Sequence, residues 1–205
     1  MSPLQKIAMG MVIIIGSAYF PADPSPSWER YDALPDPLGW VLVLLGVFAL
    51  ARTDDAFDSV RWLAVLAAVV SVPMWLPQVH HQLDASGEWF ASLPQLVFCL
   101  FLAREIGLLG ASQSPRDLYV AKRFGLLVWG FALAGVLPVL AIGGNVSQLE
   151  SPTLVLSSLV SVAFVYFLFR VHRREWLGGP GPLEVKPSKA GPRDEQEHEG
   201  RPPSS

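Results

Sequence analysis

A chain of 205 residues with 51% hydrophobic and only 16% charged residues, and a mean hydropathy of +0.38, lies at the apolar edge of what water tolerates. A formal charge of -3, with no lysine-rich run, excludes a broadly basic nucleic-acid surface, so nucleic acid is not an expected partner. The single cysteine, Cys99, excludes an intramolecular disulfide, and charge and proline gather in the final segment, leaving the region before residue 171 more apolar than the average.

The first apolar run, Ile7 to Phe20, follows Lys6. It has the outline of a secretory signal, with small residues at Gly16, Ser17 and Ala18, but no clear A-x-A site, so an uncut first helix is expected. The second run, Leu38 to Ala51, opens on Asp36 and Pro37. A carboxylate cap followed by proline meets the need of a helix whose first N–H groups have no partner, so Asp36 reads as punctuation rather than a catalyst or ion ligand. The third run, Trp62 to Leu76, is expected to start near Asp55, with Asp58 in its first turn and Pro73 bending or ending it. The fourth, Trp89 to Ala103, ends at Arg104 and Glu105, which are expected to begin a connection. Ser114 and Pro115, with Asp117 in capping-box position, precede the fifth run, Phe124 to Ile142. A helix from Pro115 to Leu137 would be about 34 Å long, the only run that spans a bilayer core of about 30 Å unaided. Ser151 and Pro152 repeat the device before the sixth run, Leu154 to Phe169.

Cations decide what the lengths leave open, because Lys and Arg near span ends are retained on the cytoplasmic side. Six crossings with both termini inside place every lysine and arginine except Arg30 on that side. Tryptophan gives the same frame, with Trp28, Trp40, Trp75 and Trp89 at outer ends and Trp62, Trp129 and Trp176 near inner ones. The expected fold is all-α: an integral membrane bundle of six transmembrane helices over residues 1–171, in the bacterial cytoplasmic membrane. Prolines 35, 94 and 152 at outer ends and arginines 52, 104 and 170 at inner ends fit three helical hairpins. The Pro- and Gly-rich segment 172–205 cannot form a core and is expected to be a disordered cytoplasmic tail.

Lys6, Ile7, Ala8 and Gly10, together with Leu34, Pro35, Asp36, Gly39 and Trp40, resemble the first hairpin of a family of small, uncharacterised bacterial polytopic membrane proteins. Those proteins share a Lys-Ile-Ala start and a Leu-Pro-Asp, Gly-aromatic lead-in to the second helix. The resemblance covers about the first quarter of the chain and implies a location rather than an activity. The proline-rich stretch "PADPSPSWER" and the long tail depart from it.

The best cluster of ligand-type side chains is His80, His81, Asp84 and Glu88, with His81 and Asp84 at the better metal spacing. A solvated loop is the preferred reading of these residues, and no cofactor is expected. No Ser-His-Asp order, phosphate loop or metalloprotease helix is present, and no charge sits in the middle of a run to mark a proton relay. Ser157 with Ser161, Ala64 with Ala68 and Gly130 with Ala134 have the spacing of close helix contacts, and Gln95 beside Pro94 is placed to line a cavity. The expected role is therefore non-enzymatic: a structural or interaction protein in lipid, associating with itself or a partner through small-residue faces. The alternative is a small-solute channel or transporter.

Overall fold

The structure is a computed structural model that describes residues 1–16, 19–20, 31–32, 36–76, 79, 82–144 and 146–181. Among the described residues six α-helices carry it: α1 (Pro3–Ile15), α2 (Asp36–Ala51), α3 (Asp58–Met74), α4 (Ala85–Ser112), α5 (Leu118–Gly143) and α6 (Glu150–Val171). Between α1 and α2, β1 (Tyr19–Phe20) and β2 (Tyr31–Asp32) form a two-residue antiparallel bridge. Four of the expected spans are long and apolar enough to cross a membrane, counting the 3₁₀ turn Asp55–Phe57 with α3; α1 and α2, at 13 and 16 residues, are shorter.

The helix starts follow from which oxygen reaches the first free N–H groups. Ser2 caps α1 by accepting from the Gln5 N–H at 3.2 Å, with Pro3 in the first turn. Asp84 caps α4 through the Gly87 N–H at 2.8 Å. Helix α5 begins at Leu118 rather than Pro115, because the cap is Asp117, whose Oδ1 accepts from the Val120 N–H at 3.2 Å. At α6 the expected Ser151 cap is replaced by the 3₁₀ turn Ser147–Leu149, which delivers Leu149 already in a helical conformation. Pro73, Pro94 and Pro138 all lie inside helices. Arg104 and Glu105 do not begin a connection: α4 continues to Ser112, because Ile106 and Gly110 extend its buried face against Val120 of α5.

Each helix packs against its neighbours in sequence, and α6 closes the circuit onto α1. The tightest contacts are α1 with α2 and α4 with α5. In the first, an added Cβ at Gly10 would stand 2.4 Å from the Gly39 carbonyl oxygen, and one at Gly46 would stand 2.6 Å from that of Pro3, so the two backbones touch. Trp40 of α2 reaches Phe98 of α4 edge-on at 5.4 Å and fills the space the circuit encloses. Trp40 is therefore core and not an interfacial anchor. Trp129 is 72% exposed but lies about 17 Å along α5, nearer its middle than the end at which it is expected. Trp62 and Trp75 keep their expected places near the ends of α3, and Trp28 lies outside the described residues.

The expected tail does not begin at 172. Residues 172–181 turn back onto the bundle through the 3₁₀ turn Glu175–Leu177, and Leu177 is fully buried. Gly178, at φ 70, lies against Pro3 and Thr53, and the Arg173 Nε donates to the Gly181 carbonyl at 2.9 Å. Residues 182–205 lie outside the described residues. Every described lysine and arginine sits within about three helical turns of the bundle end that holds Pro3, Thr53, Ser112, Leu118 and Val171; Asp36, Asp84 and Glu88 stand at the other.

Candidate functional site

Large apolar side chains cover the flanks of the bundle: Leu45 and Phe48 on α2, Leu66 and Val69 on α3, Leu126 and Leu133 on α5, Leu159 and Val162 on α6 are all more than 40% exposed. A continuous surface of that kind suits lipid and not water. Polar side chains that turn inward are therefore the ones to examine.

They converge in one place. Ser92, Gln95, Leu96 and Cys99 recur at helical spacing and line one face of α4; Phe131 and Ala134 of α5 and Ser157 and Ser161 of α6 complete a cleft of about 170 Å³. Three features of the sequence produce it. Pro94 has no N–H to donate, which leaves the carbonyl one turn back without its helical partner and loosens α4 beside Gln95. Ser157 and Ser161, four apart, put two short side chains where α6 faces α4, so the gap is not filled. Gly130 lets the α5 backbone approach Val160 of α6, where an added Cβ would meet the valine at 2.8 Å, and this draws α6 toward α5.

The cleft reaches the middle of the bundle. Cys99 lies about 21 Å from the start of α4, half of its length of about 42 Å, and Phe131 and Ser161 are near the midpoints of their helices. Beyond Cys99 the core closes, with Phe131 stacked edge-on against Phe164 at 5.3 Å and Phe98, Leu102 and Phe124 fully buried. The site is thus a pocket with a floor. Its lining holds no ionised group; the Gln95 amide and the hydroxyls of Ser157 and Ser161 offer both donors and acceptors, whereas the exposed Ser92 hydroxyl donates to the Trp89 carbonyl at 2.7 Å. At about 30 Å³ per water the space holds five or six waters, or one small uncharged solute.

Of the residues singled out in the sequence, Gln95, Ser157 and Ser161 are brought together, while Asp36 opens α2 and does not line the cleft. Ser158 is exposed on α6 and does not line the cleft, Ser71 donates to the Ala68 carbonyl at 2.8 Å, and Asn145 lies outside the described residues. The small-residue faces expected to bind a partner are turned inward: Ala64 is buried, Gly130 meets Val160, and Ala134, Ser157 and Ser161 belong to the cleft. Ser92 and Cys99 were not anticipated, although their spacing of three and four from Gln95 carries the signal.

Of the ligand-type residues expected in a solvated loop, Asp84 and Glu88 sit at the start of α4, Asp84 as its cap; His80 and His81 lie outside the described residues. Among the described residues no three of His, Cys, Asp and Glu come together in a way that could hold a metal ion. No known family, curated protein or solved structure matches this chain.

Proposed function

We propose that the chain is a polytopic protein of the bacterial cytoplasmic membrane that takes a small uncharged polar solute into the cleft between α4, α5 and α6. The observation that carries this is the meeting of Gln95, Ser157 and Ser161 at mid-bundle in a chain whose outer flanks are apolar. Gln95, Ser157 and Ser161 are partly exposed to the cleft, and a polar group turned away from water in lipid costs free energy unless it is hydrogen-bonded, so their meeting around open space calls for water or a ligand. In this reading all six helices cross as three successive hairpins, with α1 and α2 in a thinned stretch of bilayer, and both termini are cytoplasmic. The gathering of cations at one bundle end supports that orientation. The closed core beyond Cys99 supports an outward-facing binding pocket, the resting form of a transporter, over an open channel. No catalytic role is assigned, and the bilayer is the partner.

Kinship with the small bacterial family belongs to the same proposal, and the packing supports a structural meaning for the shared residues. Ile7, Ala8 and Gly10 of α1 and Gly39 and Trp40 of α2 are all buried.

The test uses single cysteines in a Cys99→Ala background. Ser157→Cys and Ser161→Cys should react with a small, charged thiol reagent added to intact cells, whereas the lipid-facing Val162→Cys should stay silent. A dry, unreactive Ser157→Cys in a folded protein would end the solute reading.

A further inference from the structure

A second cavity, of about 680 Å³, opens at the basic end of the bundle between the start of α5 and the end of α6. Three guanidinium groups line it, those of Arg170, Arg173 and Arg174, with Tyr119, Glu175 and Trp176. The three are held differently. Arg173 donates its Nε to the Gly181 carbonyl, which fixes the guanidinium plane and leaves its terminal nitrogens uncommitted to that bond. Arg174 is anchored by one nitrogen, 3.0 Å from Oδ2 of Asp117, the residue that also caps α5. The Arg170 guanidinium makes no hydrogen bond or ion pair with another described residue, and the residue is exposed on the last turn of α6. Of the two carboxylates nearby, Asp117 is taken by Arg174, and Glu175 lies over the backbone of Gly181. The cavity thus keeps an excess of positive charge.

Its walls have the character of the lipid boundary. Trp176 and Tyr119 are amphipathic aromatics, and Tyr166, one turn before Arg170, is 58% exposed on the apolar flank below. An arginine held in plane, as Arg173 is, suits the paired oxygens of a phosphate, the free Arg170 guanidinium can turn to meet them, and the space above the two is large enough for a glycerophosphate group. We propose that this cavity binds the phosphodiester headgroup of an anionic phospholipid, with Arg170 and Arg173 on the phosphate oxygens and the acyl chains lying along α5 and α6 beside Tyr166. The inference rests on insertion in a membrane but not on the polar cleft.

The experiment is native mass spectrometry of the full chain released from nanodiscs of phosphatidylcholine containing phosphatidylglycerol. The wild type should retain phosphatidylglycerol in preference to phosphatidylcholine. Arg170→Gln should lower that retention about fivefold, the equivalent of about 1 kcal/mol for one cation near an anionic surface, and should leave the melting temperature unchanged. Arg104→Gln, a cation of the same end outside the cavity, should retain lipid as the wild type does. Equal retention of the two lipids, or equal loss in Arg104→Gln and Arg170→Gln, overturns the site. Displacement of the lipid by millimolar inorganic phosphate overturns the lipid as the source of the anion. Because the cleft residues are untouched, none of these results depends on solute binding.

Discussion

Asp117 performs two tasks with one carboxylate: Oδ1 caps α5 and Oδ2 holds Arg174. Asp117→Ala should lose both and lower stability by about 1 to 2 kcal/mol, whereas Asp117→Asn, which can still cap, should lose only the ion pair. That pair is half exposed on the arginine side and adds less than about 1 kcal/mol. Thermal unfolding in detergent, followed by far-UV circular dichroism, separates the two variants. Glycine divides the same way. Gly10→Ala places a methyl group 2.4 Å from the Gly39 carbonyl and should cost about 1 to 3 kcal/mol by forcing α1 from α2. Gly125→Ala meets nothing within 4 Å and should instead gain up to about 1 kcal/mol from helix propensity. The two substitutions are chemically identical, so a common effect in the melting curves would contradict the packing described for α1 and α2.

Among the elements, the segment after α6 behaves unlike its composition. The glycine- and proline-rich sequence from 172 onward reads as a solvated tail, yet the turn Glu175–Leu177 buries Leu177 and sets the following Gly178 against Pro3 and Thr53. One large apolar residue, followed by a glycine able to adopt φ 70, is enough to dock a short stretch. Leu177→Ala should therefore destabilise the protein by about 2 to 5 kcal/mol, as loss of a core leucine does. A chain ending at Val171 should melt at least as early as Leu177→Ala; equal melting of that chain and the wild type would show the docking to be idle. Helix α5 teaches the complementary point about boundaries. Ser114 and Asp117 are both capping residues at suitable spacing, and only the turn that joins α4 to α5 selects the second.

At the scale of the whole molecule, the orientation in the bilayer is the expectation on which the solute reading depends. With Cys99→Ala as background, Gln82→Cys and Gln148→Cys should react with an impermeant maleimide in intact cells, and Ser114→Cys only after permeabilisation; the reverse pattern would invert the protein. Apolar runs, prolines and the distribution of cations are properties of local sequence, and from them alone the six helices and the collection of charge at one end were legible. Helix formation and partition into lipid depend on neighbours in the chain, which is why they can be read along it. What faces what cannot be read so. Trp40 has the amphipathic ring of an interfacial anchor and became core because Phe98 of α4 stands opposite it. Ser157 and Ser161 have the spacing of a helix contact and became the wall of a cleft because Gln95 and Ala134, not another close-packed backbone, lie across from them. Both outcomes belong to the tertiary structure, since the free energy of a buried side chain is set by the atoms that surround it, and those come from helices far apart in sequence.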